Sequence, residues 1–138
     1  MRFFLLSLFL ISISYTFAQK ENFPESDFIP PLDIKLYLSG TFGELRTNHL
    51  HSGIDIKTQG VTGKNVLAIA DGYVSRIKVS PTGFGKALYI THPNGYTSVY
   101  AHLKDFNDSI AAYVKKEQYR RERFALNLFP EKSGFPLK

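Results

Sequence analysis

The sequence predicts a mainly β chain built on antiparallel sheet, with one helix near the C-terminus. Three observations point there. Between Ile54 and Leu103, short runs that alternate apolar and polar residues are separated by turn residues. Two of these runs, Lys86 to Thr91 and Tyr96 to Ala101, flank Pro93-Asn94-Gly95, which reads as a hairpin. After Leu103 the apolar spacing changes from two residues to the three or four of a helix.

Taken in order, residues 1–18 read as an export signal. Arg2 supplies a positive start, Phe3 to Ile13 is almost unbroken apolar sequence, and Thr16-Phe17-Ala18 offers small residues for cleavage after Ala18. The apolar run falls short of the ~20 residues of a membrane span, so a secreted or periplasmic location with no stable membrane insertion is expected. Removing residues 1–18 leaves 120 of the 138, enough for one domain with a modest core. The absence of cysteine excludes a disulfide framework, a thiolate metal site and a lipid anchor on Cys. The formal charge of +5, or +4 without Arg2, suits a polyanionic surface such as a cell wall and is equally ordinary for a soluble protein. No nucleic-acid partner is expected.

Residues 19–33, polar and containing Pro24, Pro30 and Pro31, read as a linker, and residues 34–138 as the domain. Ile34 to Leu38 alternates and predicts a strand, followed by a loop over Ser39 to Gly43. Ile54 to Lys57 and Val66 to Ala70 are further β-type runs, the second closed by Asp71-Gly72. Tyr73 to Val79 alternates cleanly. Asn107-Asp108-Ser109 can cap a helix whose apolar face takes Ile110, Tyr113, Val114 and Phe124. Lys115, Lys116, Arg120, Arg121 and Arg123 fill the other face and read as a solvated surface rather than a polymer contact. The last residues, with Pro130, Gly134 and Pro136, read as a loop.

Chemistry concentrates at His51-Ser52-Gly53-Ile54-Asp55 and at His102. A helix would bring His51 and Asp55 together, but Gly53, Ile54 and Ile56 argue against one. On a straight strand four steps span ~13 Å, too far for one ion. The pair can chelate only if the chain bends between them, and Gly53 permits that bend. Imidazole with carboxylate is a reasonable donor set for zinc; a turn with an exposed His and a capping Asp reads the same residues equally well. Period-two alternation places His102 with Tyr96, Ser98 and Tyr100 on a polar, aromatic face, where it could stabilise a developing charge or relay a proton. A strand histidine bonded to backbone is the alternative. His49 stands two before His51 and is a weaker ligand candidate. His92, before the hairpin turn, reads as structural.

Phe42-Gly43, His51-Ser52-Gly53-Ile54-Asp55-Ile56, Val66 to Val74, Tyr89 to Tyr96 and Tyr100-Ala101-His102-Leu103 together resemble the lysostaphin/LytM-type zinc metalloendopeptidases, which are secreted murein hydrolases. The likeness runs over residues 42–103, in order. It implies a duplicated hybrid β fold, Zn2+ held by His51 and Asp55, His102 as a catalytic histidine, and peptide cross-links of peptidoglycan as substrate. That family also carries a His-x-His strand near the end of its domain, giving a third ligand. This chain has none after His102. The expectation is a domain incomplete at its C-terminus, with weak zinc binding and impaired hydrolysis. The same departure fits a non-catalytic murein-binding or hydrolase-regulating domain. Ala68 to Val74 also resembles a lipoyl- or biotinyl-carrier strand, but the predicted hairpin tip lacks the lysine a carrier needs.

Overall fold

A computed structural model describes residues 28–137. The export signal and the first part of the linker lie outside the described residues. Most of the described β structure is one antiparallel sheet. It contains β3 (Gly72–Val79), β4 (Lys86–Thr91), β5 (Thr97–Leu103), β6 (Leu126–Leu128) and β7 (Pro136–Leu137). The order is β5-β4-β3-β6, with β7 beside β3 at the opposite end from β6. A separate ribbon pairs β1 (Leu38–Gly40) with β2 (Asp55–Ile56). No helix among the described residues is long and apolar enough to cross a membrane.

The predicted hairpin forms with Thr91 opposite Thr97, Ile90 opposite Ser98 and Leu88 opposite Tyr100. Its turn closes through His92 N to Tyr96 O at 2.9 Å and Gly95 N to His92 O at 3.0 Å. Gly95 takes φ 87°, a conformation that costs glycine least.

The helix α1 spans Asp108–Arg121. The Asn107 side chain caps it by accepting from Ile110 N at 3.0 Å. Ile110, Val114 and Glu117 form its buried face. Ile110 and Val114 pack on Val74, Ile77, Val79, Ile90, Leu126 and Leu128 of the sheet. Burial of each such side chain stabilises by about 1.5–3 kcal/mol. Glu117 is held by Arg120 at 2.6 and 3.0 Å and by Arg121 at 2.9 Å, so two of the basic residues neutralise a carboxylate of their own helix.

Four expectations are corrected. Ile34 to Leu38 is not a strand: the chain bends through residues 31–34, and only its last residue, Leu38, enters β1. Val66 to Ala70 is not a strand either. Its backbone is satisfied elsewhere, with Leu67 N donating to Pro31 O at 2.9 Å, Ile69 N to the Tyr100 hydroxyl at 2.9 Å, and Ile69 O accepting from Ile29 N at 2.7 Å. The segment it meets, Ile29-Pro30-Pro31, has no N–H at its two prolines with which to extend a ladder. Phe124 lies beyond the helix and is exposed, because Glu122 in the left-handed region, φ 50°, ends α1. Finally, the C-terminal residues are not all loop. Pro136–Leu137 pairs with Gly72 and Tyr73, and before the predicted loop Leu126 and Leu128, which the sequence left unassigned, enter the core on either side of an outward Asn127. A three-residue strand shows too little periodicity to be read without its partner.

Candidate metal and proton-transfer site

The ribbon that carries His51 and Asp55 is a long irregular hairpin. From the pairing of Gly40 with Asp55 it continues through a bridge between Leu45 and Leu50. His51 N donates to Glu44 O at 2.8 Å and Gly43 N to His51 O at 2.8 Å. It closes in a tight turn, with Arg46 N donating to His49 O at 2.9 Å. The chain bends at Gly53. This bend brings His51 Nε2 to 3.3 Å from Asp55 Oδ1, so the two side chains converge. A Cβ at Gly53 would stand 4.0 Å from His51 Nε2, ordinary contact, and its φ lies outside the left-handed region.

The surroundings fix the imidazole. His51 Nδ1 lies 3.0 Å from Thr41 O. A carbonyl only accepts, so Nδ1 carries the proton and Nε2 keeps its lone pair toward Asp55. A histidine that donates one N–H to a backbone carbonyl while offering the other nitrogen is the usual arrangement of a metal ligand. Behind the pair, Arg46 Nη2 bonds Asp55 Oδ2 at 2.8 Å and Glu44 Oε2 at 3.1 Å. It also lies 3.4 Å from His51 Nδ1, which is a contact between two donors rather than a hydrogen bond.

His102 sits where β5 loses its regular register against β4, between the pairs Leu88–Tyr100 and Lys86–Leu103. It takes φ 55°, a left-handed conformation for a non-glycine residue. Such a bulge re-aims a side chain and interrupts alternation, so counting by twos from Tyr96 does not carry to this position. The His102 ring is exposed and meets the edge of Phe84, with centroids 6.5 Å apart. Its backbone N donates to Phe84 O at 3.0 Å. No hydrogen bond joins it to His51 or Asp55.

His49 stands at the tip of the ribbon with Nδ1 2.6 Å from Asn48 Oδ1. His92 is buried. Its Nδ1 lies 2.7 Å from Asp71 O and its Nε2 2.9 Å from Ser98 Oγ. Ser98 Oγ lies 3.1 Å from the Tyr100 hydroxyl, which accepts from Ile69 N. This chain ties the segment before β3 to β5.

The resemblance calls for zinc. The donors fit it in kind, an imidazole nitrogen with its far N–H anchored and a carboxylate oxygen beside it. Among the described residues no group of three His, Cys, Asp or Glu could hold a metal ion, so the fit is to two ligands of the usual three. Sequence reasoning missed Arg46, Glu44 and Gly40. Their role depends on the return of the ribbon, and no local spacing announces it.

The model of peptidase family M23 matches residues 49–119, a stretch that contains His51, Asp55 and His102. The DD-carboxypeptidase/endopeptidase Mpg of Neisseria meningitidis serogroup B and that of Neisseria gonorrhoeae are each 40% identical over 65 residues. That stretch is 47% of this chain and 14% of either relative. No solved structure matches.

Proposed function

The chain belongs to peptidase family M23, and on that premise we propose that it is an exported zinc metalloendopeptidase acting on the peptide cross-links of bacterial peptidoglycan. The observation that carries the proposal is the approach of His51 Nε2 to Asp55 Oδ1 at 3.3 Å inside the matched stretch. His51 through Nε2 and Asp55 through Oδ1 would hold the ion. Zinc in such a site supplies Lewis acidity and a water-derived nucleophile at neutral pH. His51 keeps the tautomer this needs because Thr41 O accepts its other proton. His102, exposed at its bulge, would hold or pass a proton at its ring nitrogens as charge develops on the substrate. The export signal at residues 1–18 would deliver the chain to the wall. Two protein ligands bind zinc less tightly than three, so low affinity and slow hydrolysis are expected.

A second reading, a non-catalytic murein-binding or regulatory domain, is favoured by the lack of a third ligand among the described residues. One set of measurements separates the two. In chelator competition, the full chain should take up zinc, and His51→Ala and Asp55→Ala should not. On murein gels, the wild type should clear slowly, and His102→Ala should retain zinc but lose clearing. Zinc uptake no greater in the wild type than in His51→Ala overturns the enzyme reading. Murein binding by the wild type and by His51→Ala, with clearing by neither, supports the second.

A further inference from the structure

We propose that Arg46 is a positioning residue for the His51–Asp55 pair, and that Gly40 provides the space in which it acts. The proposal rests on reading that pair as a metal site. Arg46 lies outside the stretch that the family model matches.

The atoms touched by Arg46 carry the argument. Its Nη2 meets Asp55 Oδ2 and approaches His51 Nδ1, the two atoms that face away from the shared Nε2–Oδ1 approach. A guanidinium occupying the ion's own place would sit against Nε2 and Oδ1 instead. Arg46 therefore holds the carboxylate from behind and leaves Oδ1 turned toward the imidazole. Glu44 Oε2 at 3.1 Å fixes the guanidinium in turn. The Arg46 side chain is about a third exposed, yet its Nε is buried without a partner, which shows a side chain laid down against the ribbon rather than extended into water.

Gly40 explains how the contact fits. A Cβ there would lie 2.5 Å from Arg46 Nη2 and closer still to Asp55 Oδ2. Its φ is not left-handed, so the need for glycine is one of space. The ion pair lies directly over this buried residue of β1.

Arg46→Gln and Gly40→Ala test this, the second with every charge retained. Two readouts are needed. The first is zinc affinity of the full chain by chelator competition. Loss of a group that orients a ligand lowers affinity by roughly 10–100-fold, and both variants should fall in that range. Arg46→Lys, a point charge without the planar fork, should restore only part. The second needs no metal: three-bond NMR couplings at Asp55, which report its χ1 rotamer. A single rotamer in the wild type and averaging in both variants, with unchanged melting temperatures, is the expected result. Couplings unaltered in Arg46→Gln overturn the proposal, as does zinc affinity that rises on removal of Arg46. If the wild type takes up no zinc but Asp55 still loses its rotamer in the variants, the positioning role stands and the metal reading fails. If the wild type and Arg46→Gln bind zinc equally with identical couplings, the metal reading stands and the positioning role fails.

Discussion

In the sheet and helix of residues 72–137, Val74, Ile77, Val79, Ile90, Ile110, Val114, Leu126 and Leu128 bury one another. In the ribbon of residues 38–56, Leu38, Phe42, Leu45, Leu50 and Ile54 are all exposed, Leu45 by 80%. The first region is held by apolar burial. The second is held by a short ladder, backbone hydrogen bonds and the Arg46 ion pairs. The candidate ligands stand on the second. The ribbon thus has little core of its own, and the geometry of the pair depends on polar contacts that contribute little to global stability.

The largest expected effect tests that contrast directly. Ile77 is fully buried, and Ile77→Ala should cost about 2–5 kcal/mol through lost transfer energy and a residual cavity. Leu45→Ala should stay within about 0.5 kcal/mol. Urea unfolding of both variants checks this, and comparable losses would break the comparison.

A smaller effect is expected where the segment before β3 is tied to β5. His92→Leu leaves Asp71 O and Ser98 Oγ without their imidazole partner in a partly buried setting, a cost of about 1–3 kcal/mol. Hydrogen exchange should quicken at Ile69, whose N–H ends the chain at Tyr100. Unaltered exchange there would show that the segment before β3 is held by something else.

The smallest effect lies on the helix and depends on pH. Hydrogen bonds from Arg120, with one from Arg121, hold the Glu117 carboxyl at about 2, against 4.5 in an open chain. Its contribution is therefore complete above pH 4.5 and is lost as pH falls toward 2. Acid titration of stability should show a gap between wild type and Glu117→Gln that closes over this window. A gap constant with pH would mean that Glu117 acts through packing alone.

Local signals were enough for the hairpin of β4 and β5, for β3, and for the helix start at Asn107. Each has its cause in nearby residues: alternation, a glycine turn, a side chain that accepts from the third residue on. For His51 and Asp55 the sequence stated the condition, a bend at Gly53 without which their spacing on a strand keeps them apart, and the fold meets it. Other features were hidden. Val66 to Ala70 has the composition of a strand, but its hydrogen bonds go to Pro31 and Tyr100. Leu126–Leu128 is too short to show a period of its own, but β3 offers it an edge.

The sequence by itself determined a mainly antiparallel β chain with one capped helix, and it placed two potential ligands at either end of a bend. Periodicity and turn chemistry act over a few residues, so a single pass along the chain can read them. Tertiary structure alone decided which segments β3 would pair with, the bulge that re-aims His102, and the return of the ribbon that sets Arg46 behind Asp55 and over Gly40. Those outcomes depend on which distant backbone groups and charges meet, and that is fixed only when the whole chain has packed.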